Sequence, residues 1–197
     1  MKEILVLYYS RYGATEALAR SVCHGVDSVA GASARLRTVP PVSPATEASE
    51  APVPDEGPPY ATKDDLRECA GLLLGSPTRF GNMAAPLKYF IDGTGSEWLK
   101  GTLGGKPAGV FTSTSTLHGG QESTLLSMAL PLIHHGMVLV GIPFTEKELN
   151  ETRTGGAPYG ASHITWNRDD DALSDDETKL AEALGARVAR IALRLAD

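Results

Sequence analysis

Three short segments combine hydroxyl, glycine and aromatic residues, a mixture suited to binding a ligand through backbone and hydroxyl groups. Residues 76–82 read Ser-Pro-Thr-Arg-Phe-Gly-Asn, residues 10–15 read Ser-Arg-Tyr-Gly-Ala-Thr, and residues 113–120 read Ser-Thr-Ser-Thr-Leu-His-Gly-Gly. Each directly follows an apolar run typical of a buried strand. Ligands of open α/β sheets bind beyond the carboxyl ends of the strands. We therefore predict that the three segments meet at one ligand.

Residues 10–15 have the character of a phosphate-binding loop. Ser10 and Thr15 supply hydroxyls, Gly13 allows close backbone approach, and a helix-forming stretch follows. The N-terminus of that helix adds unsatisfied N–H donors and the positive end of its dipole. None of the three segments is a Walker loop or a G-x-G-x-x-G fingerprint, so neither ATP nor a Rossmann-bound dinucleotide is indicated. The alternative for each segment is a plain strand-to-helix connection capped by Ser or Thr.

The rest of the chain alternates strands and helices. Strands are predicted at 3–9, 33–39, 71–75, 107–112 and 137–142, and helices at about 14–29, after an N-cap at Thr62, at 83–92, at 120–135 and from Asp175 to about Leu195. This alternation predicts a doubly wound, five-stranded parallel α/β sheet of flavodoxin-like order 2-1-3-4-5, with helices on both faces.

The whole chain, residues 1–197, is expected to form one domain. A Pro-rich stretch at about 40–61 is predicted to be an extended loop, and residues 143–172 form an insertion too long for an ordinary connection. Pro131 is expected to kink or divide the helix at 120–135.

Composition excludes several classes of protein. A net charge of −6 argues against a nucleic-acid surface. The two cysteines, Cys23 and Cys69, are too few and too far apart for a zinc site, and we predict free thiols and no metal. No apolar run approaches the ~20 residues of a membrane span. The N-terminus has no signal-peptide pattern, so we expect a soluble cytoplasmic protein.

Several of these motifs together resemble the flavodoxin-like NAD(P)H:quinone oxidoreductases of the WrbA type. The resemblance covers nearly the full length. It is carried by Tyr-Tyr-Ser-x-Tyr-Gly at 8–13, Pro-Thr-Arg-Phe-Gly-Asn-Met at 77–83, Gly-Gly-Gln-Glu at 119–122, His-His-Gly-Met-Val at 134–138 and Gly-Gly-x-Pro-Tyr-Gly-Ala at 155–161. The second and fourth strings are the most specific. Leu117 and His118 depart from the family, where many members have a run of glycines.

The resemblance implies bound FMN, NADH or NADPH as electron donor, and a quinone as substrate, in a homotetramer. The loops agree with FMN, because the first suits one terminal phosphate and the other two suit a flat heterocycle. The predicted cofactor-binding residues are Ser10, Arg11, Tyr12, Gly13, Ala14, Thr15, Thr78, Arg79, Phe80, Ser113, Thr114, Ser115, Thr116, Leu117, His118, Gly119 and His134. Tyr12 is also predicted to contact the nicotinamide nucleotide, and Trp98 the quinone. No catalytic side chain is expected, since the flavin carries the chemistry.

Other roles stay open for some of these residues. Trp98 is alternatively an interface residue, His134 a helix-end histidine and Phe80 a core residue. The Trp98 segment and the 143–172 insertion are expected to leave the sheet on the side of the three loops. Apolar side chains there are predicted to form a subunit interface, namely Trp98, Leu99, Leu103, Ile142, Phe144 and Trp166. Two rival functions are a flavodoxin-type electron carrier or other flavin reductase, and a flavin-free scaffold.

Overall fold

The architecture is a parallel sheet whose order confirms the prediction. The computed structural model describes residues 1–42, 54, 57–166 and 172–195. Its strands are β1 Lys2–Tyr8, β2 Ala32–Thr38, β3 Gly71–Arg79, β4 Asn82–Met83, β5 Pro107–Thr114, β6 Val138–Leu139 and β7 Ala161–Ile164. The parallel path runs β2-β1-β3-β5-β6, and β4 is a short antiparallel partner of β3. With β4 set aside, this path is the predicted order 2-1-3-4-5.

The fifth strand position of the sheet is divided between two segments of the chain. β6 pairs with Pro107–Ala108, and β7 pairs with Phe111–Thr114 further along β5. The predicted strand at 137–142 was therefore too long, and the 143–172 insertion contains a strand that sequence reasoning missed. The chain returns to the sheet at Gly160, where a Cβ would lie 2.0 Å from the Val110 carbonyl oxygen. Only glycine permits that approach, so the insertion folds back and completes the edge of the sheet.

Two other strands are longer than predicted. β3 runs to Arg79 instead of ending at residue 75, and the chain reverses at Phe80–Gly81 into β4. β5 runs to Thr114 instead of residue 112, so Ser113 and Thr114 are strand residues. The sequence did not predict these extensions because the residues at both strand ends are polar. They belong to the strands only through backbone pairing with neighbouring segments.

Helices cover both faces of the sheet, as predicted. They are α1 Ala14–Asp27, α2 Lys63–Glu68, α3 Ala85–Asp92, α4 Gly95–Leu99, α5 Gln121–His134, α6 Glu148–Glu151 and α7 Asp175–Leu195. On one face, Leu18 of α1 and Leu184 of α7 pack with Phe111 of β5. On the other, Leu87 of α3 and Leu125 of α5 pack with sheet residues. These two apolar layers hold the strand ends at one edge in fixed relative positions.

Some predictions about single residues are confirmed and others are wrong. Thr62 caps α2 through a capping box with Asp65, as predicted. Pro131 does not divide α5, which is one helix from Gln121 to His134. Cys23 and Cys69 are free thiols, in agreement with the sequence.

Most of the Pro-rich stretch predicted at 40–61 lies outside the described residues, as do residues 167–171 of the insertion. Near the end of this stretch, Tyr60 forms a parallel bridge with Thr38, the last residue of β2. Among the described helices, none is long and apolar enough to span a membrane.

Candidate active site

The carboxyl ends of β1, β3 and β5 lie side by side. The Tyr9 amide donates to the Gly75 carbonyl at 3.0 Å, and Pro77 is in register with Ser113. The three segments singled out in the sequence therefore emerge at one edge of the sheet. The geometry brings them together as the sequence predicted.

The first segment forms a tight turn into α1. Gly13 has φ 95°, a conformation that disfavours residues with a Cβ, and its N–H donates to Ser10 Oγ at 3.1 Å. The Arg11 guanidinium lies 5.3 Å from the centre of the exposed Tyr12 ring. Because α1 begins at Ala14 and runs to Asp27, its N-terminal amides and dipole face this turn. The turn suits an anionic group.

A buried hydroxyl pair joins the first segment to the third. Thr15 Oγ1 and Ser113 Oγ are 2.8 Å apart, and both residues are buried. Each hydroxyl both donates and accepts, so the direction of this bond responds to whatever lies on either side of it.

The second segment is a strand-to-strand turn that presents an aromatic ring to solvent. Phe80 is fully exposed and has φ 54°, which excludes the alternative that it is a core residue. A positive φ at a bulky residue is a local strain that marks functional sites. Arg79 Nη1 donates to the Thr78 carbonyl at 2.7 Å, and Thr78 Oγ1 lies 2.8 Å from Thr124 Oγ1 of α5. The turn is thereby anchored to the helix that follows the third segment.

The third segment is an exposed loop, residues 115–118, between β5 and α5. The Thr114 hydroxyl donates to the Thr116 carbonyl at 2.8 Å, and Gln121 Nε2 donates to the Leu117 carbonyl at 2.6 Å. The Gly119 amide donates to the Thr116 carbonyl at 3.0 Å. A Cβ on Gly120 would lie 3.4 Å from Gly81 Cα, so this loop lies next to the Phe80 turn. Leu117 and His118 are exposed at the same edge.

Trp98 and His134 form a separate cluster. Their rings stack at 5.7 Å, and Trp98 Nε1 donates to the His134 carbonyl at 2.9 Å. α5 starts beside the third loop at Gln121 and ends at His134, about 20 Å away at 1.5 Å per residue. One chain therefore does not bring Trp98 and His134 to its own three loops. The expectation that the Trp98 segment leaves the sheet on the loop side was wrong, because α3 carries the chain back across the sheet first.

The predicted interface residues divide into two groups. Leu103 and Ile142 are buried in the core of their own chain, which contradicts their assignment. Trp98, Leu99, Phe144 and Trp166 are exposed, at 46%, 78%, 62% and 43%. Sequence reasoning missed an exposed apolar stripe on α5, formed by Leu126, Leu130 and Ile133. Its spacing of four and three residues is the signal that would have revealed it.

A buried ionisable pair was also missed. His163 of β7 and Glu177 of α7 lie behind the three loops, with Nδ1 and Oε2 2.9 Å apart. The Ser-x-x-Glu spacing at 174–177 was a detectable capping-box signal. Burial of the pair depends on β7, which sequence reasoning did not identify. In the part of the chain that the structure describes, no cluster of potential metal ligands occurs.

Known proteins are similar to this chain in sequence and in fold. The family model described as NADPH-dependent FMN reductase matches residues 4–146. An NAD(P)H dehydrogenase (quinone) from Trichlorobacter lovleyi is 41% identical over 207 aligned residues, covering 99% of each chain.

Solved structures agree on the fold. A WrbA-like flavodoxin from Agrobacterium tumefaciens matches with a TM-score of 0.68 at 22% identity, over 98% of this chain and 99% of that one. Flavodoxin 1 from Bacillus cereus matches with a TM-score of 0.62 at 14% identity, over 96% of this chain and 98% of that one. The sequence matches place the chain in a family, and the structural matches confirm the fold that the sequence predicted. The protein belongs to the family described as NADPH-dependent FMN reductase, and a protein named NAD(P)H dehydrogenase (quinone) is among its full-length relatives.

Proposed function

We propose that this protein is an FMN-dependent NAD(P)H:quinone oxidoreductase. The observation that carries the proposal is the convergence of three loops at the carboxyl ends of the strands, where the Thr15–Ser113 hydroxyl pair joins the first to the third and Gly120 lies close to Gly81. Membership of a family described as NADPH-dependent FMN reductase supports it, as does a full-length relative named NAD(P)H dehydrogenase (quinone).

The residues at this edge fit FMN. The turn at Ser10–Thr15, at the N-terminus of α1, would hold the phosphate through backbone amides and hydroxyls. Thr78, Arg79 and Phe80 would line one side of the ring system, and residues 113–119 with their exposed loop the other. Bound FMN would supply hydride chemistry between a nicotinamide and a quinone, so this chain needs no nucleophilic side chain.

The role of the protein is to hold the ring and leave one face open. Phe80 and Tyr12 are exposed at the site, where they offer flat apolar surfaces to a nicotinamide or a quinone. Both substrates are flat, and we propose that they use the same slot in turn, with Tyr12 contacting the nicotinamide nucleotide. Single occupancy of the slot requires a ping-pong mechanism.

We further propose that a second copy of the chain completes the slot. Trp98 and His134 stack on each other at the end of the sheet opposite to the three loops of the same chain. Trp98 was predicted to contact the quinone and His134 the cofactor, and both roles require a flavin site nearby. Trp98 is half exposed and the α5 stripe beside it is apolar, so this surface suits contact with another subunit. In a closed assembly with reciprocal contacts, such as a D₂ homotetramer, Trp98 and His134 of one subunit would lie at the loops of another.

Steady-state kinetics with purified, FMN-loaded protein test this function. We expect oxidation of NADH or NADPH that depends on added benzoquinone, with parallel lines in double-reciprocal plots. Intersecting lines would show that both substrates bind together and would contradict the shared slot. Binding of FMN without quinone-dependent oxidation of either nucleotide would favour a flavodoxin-type carrier.

A further inference from the structure

A buried threonine of α5 bonds to both of the segments that would line the flavin ring. Thr124 is 0% exposed. Its Oγ1 lies 2.8 Å from Thr78 Oγ1, near the end of β3, and 2.8 Å from the carbonyl oxygen of Gly120, the last residue of the third segment. One hydroxyl therefore joins the strand end that leads into the Phe80 turn to the segment 113–120.

The direction of both bonds follows from the groups that make them. A carbonyl oxygen only accepts hydrogen bonds, so the Thr124 hydroxyl donates its one hydrogen to Gly120. Because that hydrogen is used, the Thr124 oxygen accepts at its other contact, and the Thr78 hydroxyl is the donor there. Thr124 thus uses both its hydrogen and a lone pair. Valine has nearly the same shape and supplies neither.

The Phe80 turn depends on side-chain bonds of this kind. Backbone pairing between β3 and β5 ends at Pro77, so the residues from Thr78 onward have no further pairing with the central sheet. Beyond that point the chain pairs only with β4, which is the other half of the same turn. Phe80 has an unfavourable φ of 54°, and its fully exposed ring provides no packing that would hold the turn.

The neighbouring hydroxyls of α5 make different contacts. Ser123 Oγ donates to the same Gly120 carbonyl at 2.9 Å, but it is exposed and forms no hydrogen bond with Thr78. Ser127 Oγ donates to the Thr124 carbonyl at 2.9 Å, one turn further along the helix. Within the described part of the chain, Thr124 is the residue whose side chain bonds to both segments.

We propose that Thr124 is a positioning residue for the flavin ring, an inference that rests on the proposed function of the three loops. It fixes the Phe80 turn against the third segment and so sets the space between the two surfaces that would line the ring. Because Thr124 is completely buried, it acts through Thr78 and Gly120 and does not touch the cofactor. FMN and riboflavin carry the same ring, so loss of Thr124 should weaken both equally.

Flavin affinities of matched variants test the inference. Dissociation constants for FMN and for riboflavin are measured by flavin fluorescence with apoprotein. We expect Thr124→Val to weaken binding of both flavins about tenfold and to leave the ratio of the two constants unchanged, because the link between the segments is broken. Thr124→Ser restores the hydroxyl and should bind both flavins as wild type does. Ser123→Ala, the matched control, removes a hydroxyl from the same Gly120 carbonyl and should leave both affinities unchanged.

The outcomes separate this inference from the proposed function. Wild-type affinity in Thr124→Val, a loss confined to FMN, a loss that Thr124→Ser does not restore, or an equal loss in Ser123→Ala would each overturn the inference. Wild-type apoprotein that binds neither flavin would overturn the proposed function instead.

The other end of the bond gives a second test, which also serves if Thr124→Val does not fold. Thr78→Val should weaken binding of both flavins, and Thr78→Ser should restore it; wild-type affinity in Thr78→Val would overturn the inference. The double variant with valine at both positions should bind FMN as Thr78→Val alone does, because one link cannot be broken twice. Additive losses would mean that Thr124 acts by another route, and would also overturn the inference.

Discussion

Gly13→Val is the most direct test of the phosphate loop. Gly13 has φ 95° and ψ −34° at the N-cap of α1, and its amide faces Ser10 Oγ. A β-branched residue in this conformation costs about 1–3 kcal/mol of stability, and for a chain of this size each kcal/mol lowers Tm by about 2–4 °C. The added side chain also keeps the phosphate away from the loop amides. Loss of one hydrogen bond to a charged group costs about 1.5–3 kcal/mol, which weakens FMN binding roughly 10- to 150-fold.

A second glycine separates strain from loss of the site. Gly105 has φ 76° and open space around its Cβ position, far from the loops. Gly105→Val should therefore lower Tm by a similar amount and leave FMN affinity unchanged. Flavin fluorescence titration of both variants, with calorimetry of the apoproteins, gives the comparison. If folded Gly13→Val binds FMN as tightly as wild type, the assignment of loop 10–15 is wrong.

Three further predictions address other parts of the molecule. Trp98→Ala should reduce quinone turnover while leaving FMN affinity intact, and activity per flavin should fall on dilution; a fully active monomer in sedimentation experiments would contradict the shared site. Glu177→Gln should destabilise the apoprotein at pH 7. Because the folded pKa of Glu177 is about 2 and its ordinary value is 4.5, this difference in Tm should shrink as pH falls from 4.5 toward 2, and a constant difference would refute the charge assignment. Gly160→Ala should cost about 1–3 kcal/mol by forcing a Cβ against the Val110 carbonyl, while Gly95→Ala, with open space around it, should cost less in chemical denaturation.

The sequence predicted the central strands and their loops because these depend on local features. An apolar run such as 71–75 identifies a buried parallel strand, and a following Ser, Gly or Pro marks where the chain changes direction. Thr62 and Asp65 identify the start of a helix by the same local chemistry. Alternation of such elements predicts a doubly wound parallel sheet, because parallel crossovers have one hand. The order 2-1-3-4-5 is one of the two orders common in such sheets, and the structure has it.

Features that depend on distant contacts were not predictable in this way. The polar end of β3 and the short strand β7 are strands only because neighbouring backbone pairs with them. His163 looked like one polar residue in a polar insertion, and it is buried because β7 fills the second half of the sheet edge.

By itself, the sequence determined that residues 10–15, 78–80 and 113–119 lie at the ends of apolar strands, since strand pattern and loop chemistry are both local features. Tertiary structure decided which other residues join them. It joined Thr15 to Ser113 through a bond between residues 98 positions apart, and it placed Trp98 and His134 at the opposite edge. The physical reason is that the length of a helix and its packing on the sheet decide whether a side chain lies near the carboxyl or the amino ends of the strands, whatever its residue type.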